Sequence, residues 1–418
     1  MSPKRGVAAV TGSRRRTVGP GSITAIAAIA LGAVAMIGSI AIASVVAAVA
    51  RKVITPPSRR TEDLTIFSST ATTVTLSSTL DTRLAGQYSL WFHGGDGHAR
   101  VGEVISSTAT TVTRSIVKID FGDLATATRG RFGSWVYLSP ADLPLPFTDV
   151  TIDTPLGAAP AWLIEAKQPT TSWVIGVHGR GVQRAESLRA VEVFRDAGYT
   201  NLLVSYRNDG EAPASLDGLY ALGDTEWEDV DAAVRYAHTH GATDVVLLGW
   251  SMGGATVLQT ATRSAHAHLI RGMVLESPVV DWVTALRHQG RSFGLANPFR
   301  HGVFRLISAS WGGRITGQSA PIDLQRLDFV RRAAELTIPI LILHSADDTF
   351  VPATASRELA LRRPDIVEYD EFTLATHTRL WNYDPDRWTA RIAQWLRALS
   401  PPTERTDSPV RRPEAESS

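Results

Sequence analysis

Ser251 stands in the run Gly249-Trp250-Ser251-Met252-Gly253, after the apolar stretch "DVVLL" and before a segment of helical length. A serine hydroxyl is a weak nucleophile at neutral pH. It attacks a carbonyl only with a base to take its proton and an acid to orient that base. Gly249, Gly253 and Gly254 permit a sharp strand-to-helix turn at Ser251, and the helix that follows aims amide dipoles at a developing oxyanion. The base expected downstream is His377 in "FTLATHTRLWNYDP", between an apolar run and an amphipathic segment. The acid falls in "HSADDTFVP", residues 344–352, where the apolar run Leu341-Ile342-Leu343 ends. Asp347 and Asp348 are neighbours there. Adjacent side chains on an extended chain point opposite ways, so the two cannot share one task. The residues alone leave open which of them serves His377.

Other chemistries are excluded or disfavoured. The chain has no cysteine, hence no disulfide, no thiolate nucleophile and no Cys-based metal site. With 42 basic and 41 acidic side chains, nothing in the net charge of +1 points to nucleic acid. "HGGDGH" at 93–98 sets His93, Asp96 and His98 close together, but Gly-Gly and Asp-Gly are hairpin-turn chemistry, and no metal is predicted. No organic cofactor is implied. Glu226, Asp229 and Asp231 read as the solvated or capping face of a helix.

The elements that must position these residues follow from about Ala159 onward. Apolar runs alternate there with amphipathic segments, the rhythm of βαβ units and a mostly parallel sheet. Strands are expected near 159–166, 172–178, 200–206, 244–250, 270–276, 338–344 and 365–372. Helices are expected near 184–197, 225–240, 252–264, 352–362 and 385–398. About sixty residues separate Glu276 from Ile338, a connection long enough to carry its own helices as a cap at about 278–336. Within it, Phe293, Leu295, Phe299, Phe304 and Leu306 lie among Arg287, Arg291, Arg300 and Arg305. That mixture suits a cap holding an acyl chain or facing lipid headgroups.

The run "VHGRG … YRNDGEAP … TEWEDVDAAVRYA … LGWSMGGA … LHSADDTFVP … HTRLWNYDP" resembles the α/β-hydrolase superfamily, in its serine-aminopeptidase-like or prolyl-oligopeptidase-like branches. The likeness covers residues 150–400 and matches the chain order nucleophile, acid, base. It implies Ser251, Asp348 and His377 as the triad. Asp348 is chosen over Asp347 because the family's acid loop commonly reads H-G-x-x-D-x-x-V-P, although Ser345 stands here in place of its Gly. It also implies an oxyanion hole from the backbone amides of Met252 and Arg180. The activity implied is that of a serine hydrolase, a carboxylesterase or lipase acting on a small-molecule or lipid ester, with a peptidase using the same triad as the alternative.

Ahead of this half, residues 1–21 are basic and Ser22 to Ala50 carries no charge. A charge-free run of this length reads as a transmembrane helix, and it exceeds the apolar core of a cleaved signal peptide. Five basic residues precede it and four follow closely, a slight bias toward an inside N-terminus and an extracytoplasmic catalytic half. Residues 51–61, including "TPPSRR", read as a linker. Residues 62–145, rich in Thr, Val and Ser, read as a β module built as a compact barrel or curled sheet. There the octapeptide "SSTATTVT" occurs at 68–75 and again at 106–113, implying two related hairpins. A binding protein working through this module beside a silent hydrolase fold is the reading from another class. The polar, Pro-rich residues 401–418 read as a disordered tail.

Overall fold

The computed structural model describes residues 42–57, 61–292, 294 and 297–399. Six strands, β1 Leu64–Ser69, β2 Thr73–Ser77, β3 Tyr88–Phe92, β4 Gly97–Ser107, β5 Thr111–Phe121 and β6 Arg129–Gly133, close into a barrel in the order β1-β2-β5-β4-β3-β6. Both copies of the octapeptide fold alike. In the β1–β2 hairpin the Thr70 hydroxyl accepts from the amides of Thr72 (3.2 Å) and Thr73 (3.0 Å). In the β4–β5 hairpin Thr108 accepts from Thr110 (3.2 Å) and Thr111 (3.0 Å). The hairpins then pair with each other, Thr75 opposite Thr113 with their hydroxyls 2.9 Å apart, while Val74 and Val112 turn inward. Closure leaves no exposed sheet edge.

Strands β7 Thr148–Thr154, β8 Gly157–Ile164, β9 Ser172–Val177, β10 Thr200–Val204, β11 Asp244–Trp250, β12 Ile270–Glu276, β13 Ile340–Ser345 and β14 Val367–Phe372 form one sheet ordered β14-β13-β12-β11-β9-β10-β8-β7. It is parallel from β14 to β10 and antiparallel at the β8–β7 edge. The sheet therefore starts at Thr148, ahead of the first expected strand. Charged "TDVTIDT" pairs as a solvated edge strand and shows no apolar run.

The helices are α1 (42–54), α2 Val191–Asp196, α3 Trp227–Thr239, α4 Met252–Arg263, α5 Trp282–Ser292, α6 Asn297–Ser308, α7 Gly313–Thr316, α8 Thr354–Arg362, α9 Leu380–Tyr383 and α10 Pro385–Ala398. Alternation along β11 sends Val245 and Leu247 into the core shared with α3 and α4, and Val246 and Leu248 into the core shared with α2 and α10. Between β12 and β13, α5, α6 and α7 make the cap; Phe293 and Leu295 lie outside the described residues.

The expectations for the N-terminus need correction at one boundary. Residues 1–41, and with them most of the expected membrane run, lie outside the described residues, as do residues 401–418. Among the described residues no helix is long and apolar enough to cross a membrane. Residues 51–54 are not linker: α1 continues through Arg51 and Lys52 to Ile54. Ala50 and Ile54, one helical turn apart, are fully buried in the core of the eight-stranded sheet, with Val46, Val49 and Val53 packed beside them. Arg51 and Lys52 lie on the exposed face, and the Arg51 guanidinium donates to the Thr316 carbonyl of the cap (3.2 Å).

Candidate active site

Strand β11 ends at Trp250, and the chain turns into α4 within one residue. Ser251 takes φ 52° and ψ −115°, a left-handed conformation that non-glycine residues adopt only where the surroundings enforce it. A Cβ on Gly253 would lie 2.3 Å from the Val177 carbonyl oxygen, so no larger residue fits beneath the turn. A Cβ on Gly249 would lie 2.7 Å from the carbonyl oxygen of Gly253 itself. The Ser251 amide donates to the Glu276 carbonyl (3.1 Å), and its carbonyl accepts from Val279 (3.0 Å), which pins the serine at the C-terminal edge of the sheet.

The three residues singled out in the sequence converge there. Ser251 Oγ lies 2.9 Å from His377 Nε2, and His377 Nδ1 lies 2.7 Å from Asp348 Oδ2. Asp348 is 4% exposed, and its other oxygen accepts the amides of Phe350 and Val351, each at 2.8 Å. Burial alone would raise its pKa. The charge of His377, with hydrogen bonds from His344 and His377, outweighs that and holds the carboxyl well below the usual carboxylate range. Asp347 points the other way and accepts the Leu374 amide (2.7 Å). Ser345, in place of the family's Gly, accepts the Asp347 amide through its hydroxyl (3.1 Å) and braces the turn.

Met252 opens α4, so its amide has no partner within the helix. Arg180 follows Gly179, where a Cβ would stand 3.3 Å from that of Ser251; the two loops meet at Ser251. The Arg180 side chain does something the sequence did not suggest. Its guanidinium donates to the carbonyls of Val53 (3.1 Å), Lys52 (2.9 Å) and Thr55 (2.7 Å), capping the C-terminus of α1. Burial lowers its pKa. A cavity of about 310 Å³ opens over Ser251, with Val49 and Val53 of α1, Trp282 and Leu286 of α5, and Val303 and Phe304 of α6 in its walls.

Several residues that hold the site went unread. Glu276 is fully buried and accepts from Trp250 Nε1 (2.9 Å), Trp388 Nε1 (2.8 Å) and the Leu380 amide (3.3 Å); burial pushes its carboxyl up. An acid closing the apolar strand "MVLE" was the available signal. Asp81 of the barrel accepts from Thr376 Oγ1 (2.7 Å) and pairs with Arg379 (3.0 Å), gripping the His377 loop from both sides. No local pattern marks a contact between residues so far apart in sequence. Glu226 and Asp229 are not a solvated face either. Glu226 is fully buried and accepts the amides of Ala221 (2.7 Å) and Gly223 (2.8 Å), and Asp229 is held by Arg207 (2.7 Å).

A second Ser-His-Asp set lies on the outer face of the barrel, beneath the segment 134–142. His98 Nε2 is 2.9 Å from Ser89 Oγ, and His98 Nδ1 is 2.8 Å from Asp120 Oδ2. Ser89 and His98 are fully buried, the Ser89 hydroxyl donates to the Trp135 carbonyl, and Asp120 also takes Arg100 (2.9 Å) and Lys118 (2.8 Å). His98, the second histidine of "HGGDGH", follows the turn and opens β4, where it is fully buried on the outward face against Trp91.

Residues 174–392, more than half of the chain, match the alpha/beta hydrolase family, and the chain belongs to that family. Residues 65–133, the barrel, match a domain of unknown function (DUF8805). Among solved structures, the Pyrococcus furiosus esterase Pf2001 is 19% identical with a TM-score of 0.49, over 62% of this chain and 94% of that one. The esterase RhEst1 from Rhodococcus sp. ECU1013 is 16% identical (TM-score 0.43; 60% and 99%). A bromoperoxidase from Bacillus anthracis is also 16% identical (TM-score 0.43; 60% and 100%). No curated protein matches the chain.

Proposed function

We propose that the protein is a membrane-anchored serine hydrolase cleaving carboxylic esters. The observation that carries this reading is the chain of contacts Ser251 Oγ to His377 Nε2 to Asp348 Oδ2 beneath an apolar cavity. Ser251 Oγ bonds to the substrate carbonyl carbon as its proton passes to His377 Nε2, while Asp348 fixes the ring and offsets its charge. The amides of Met252 and Arg180 take the oxyanion. Collapse breaks the ester C–O bond, the alkoxide leaves with the proton from His377, and water repeats the sequence in reverse roles to release the acid and restore Ser251. The cavity is lined by apolar side chains, Gln289 and the cations Lys52 and Arg300, and among the described residues no carboxylate lines it. That chemistry favours a neutral or anionic ester over the cationic amino terminus an aminopeptidase must hold.

The charge-free run ahead of the docked part of α1, residues 22–45, is assigned as the anchor, with the barrel and hydrolase on the extracytoplasmic side. A fluorophosphonate probe applied to the full chain should label Ser251 alone, and labelling that persists in Ser251→Ala would remove the reading. Protease added to intact cells or spheroplasts should clip the chain after Ser400; protection until the membrane is permeabilised would place the enzyme on the other side.

A further inference from the structure

The helix that emerges from the charge-free run is also a wall of the cavity. Val49 and Val53 of α1 face the same space as Ser251, opposite Trp282, Leu286 and Phe304 of the cap. This placement is fixed at three points. Ala50 and Ile54 are buried in the hydrolase core, Val46 touches the position of Gly302 on α6, and Arg180 ties three carbonyls at the end of α1 to the loop that carries an oxyanion amide. Helix, cap and nucleophile therefore form one piece. From Ser22 to Ile42 the sequence that leads into this wall has no charged residue.

The outer surface beside the wall has a matching character. Ile42 and Val45 of α1, with Trp311 and Ile315 at the end of the cap, are exposed large hydrophobics, and Arg51, further along α1, ties the helix to Thr316, next to Ile315. Apolar groups left in water on adjoining elements mark a surface that meets an apolar phase. Lys52 and Arg300 line the same space as the apolar side chains, the neighbourhood of charge and hydrocarbon that long cationic side chains adopt at a lipid interface.

We propose that α1 sets this cavity at the bilayer surface, and that the cavity takes the acyl chain of a membrane-lipid ester, with Val49 and Val53 as chain-contacting residues. The inference rests on the serine hydrolase and anchor assignments above and adds to them the substrate class and its route of entry.

The test uses the full chain reconstituted in phosphatidylcholine vesicles, with p-nitrophenyl acetate and p-nitrophenyl dodecanoate as paired substrates. Wild type should prefer the dodecanoate in kcat/KM. Val49→Trp, which fills the cavity from the α1 side, should lower the dodecanoate-to-acetate ratio about tenfold, the scale on which an apolar pocket discriminates chain length. Val49→Ala, an easier change for folding, should lower it about fivefold through lost apolar contact. Monododecanoylglycerol should be turned over faster from the vesicles than from solution below its solubility limit. A ratio unmoved by both variants, or faster turnover from solution, overturns the proposal while fluorophosphonate labelling of Ser251 stays intact. Loss of that labelling in wild type would instead defeat the hydrolase assignment beneath it.

Discussion

The chain brings the same three side chains into the same hydrogen-bonded order at two places, once at the C-terminal edge of the sheet and once on the outer face of the barrel. Ser251, His377 and Asp348 meet at 2.9 and 2.7 Å; Ser89, His98 and Asp120 meet at 2.9 and 2.8 Å. By distance the two sets are interchangeable. They differ in what surrounds them. Ser251 sits on a forced turn at a helix start beneath a cavity, whereas Ser89 lies within strand β3, fully buried, and gives its hydroxyl proton to the Trp135 carbonyl. Asp348 spends one oxygen on backbone amides and the other on histidines, while Asp120 is shared with Arg100 and Lys118. A nucleophile needs an attackable space, a proton acceptor without rivals and a place for the oxyanion; a ladder of short contacts needs none of these.

Substitutions can break this contrast. The largest effect belongs to Ser251→Ala, expected to lower kcat on the order of 10⁴–10⁶-fold against p-nitrophenyl esters. Next comes Asp348→Asn, which should cost about 10⁴-fold by releasing the imidazole tautomer. Its barrel counterpart Asp120→Asn should leave kcat near wild type. Similar losses in both would mean the barrel set takes part in turnover. Asp347→Asn should lower kcat far less than Asp348→Asn, through the Leu374 amide it holds in the histidine loop. The reverse ranking would shift the acid by one residue. Smallest on activity is Ser89→Ala, which should keep turnover per folded molecule and lower unfolding free energy by about 1–3 kcal/mol, since it leaves buried partners unmet. Denaturant titration followed by an ester assay separates the two effects.

Much of the hydrolase half was legible because its signals are local. The strand expected at 244–250 runs Asp244–Trp250, and the helix expected at 385–398 runs Pro385–Ala398, each marked by an apolar run or a helical period within one segment. The turn at Ser251 announced itself through Gly249 and Gly253, which stand where a Cβ would strike backbone. What escaped depends on partners remote in sequence. An apolar run reads the same whether lipid or protein covers it, so the docking of Ala50 and Ile54 and the Arg180 cap had no signature. Asp81 met Thr376 only through folding, and Glu226 looked like a surface acid because its amide partners sit in the preceding loop. Ser89, His98 and Asp120 come from three adjacent strands, and no spacing rule links them.

The join between barrel and hydrolase has a thermodynamic consequence. At Gly86 a Cβ would stand 1.8 Å from the Asn382 carbonyl oxygen, and the Asn382 side chain donates to the carbonyls of Gln87 and Ser134 (2.7 Å each). Tyr383, the next residue, packs against both the barrel core and the α10 side of the sheet. Neither body can lose its fold without stripping the other of packing and hydrogen bonds, so the two should melt as a single cooperative unit. In scanning calorimetry this predicts one peak, with van't Hoff and calorimetric enthalpies in agreement, from a chain whose architecture would otherwise suggest two.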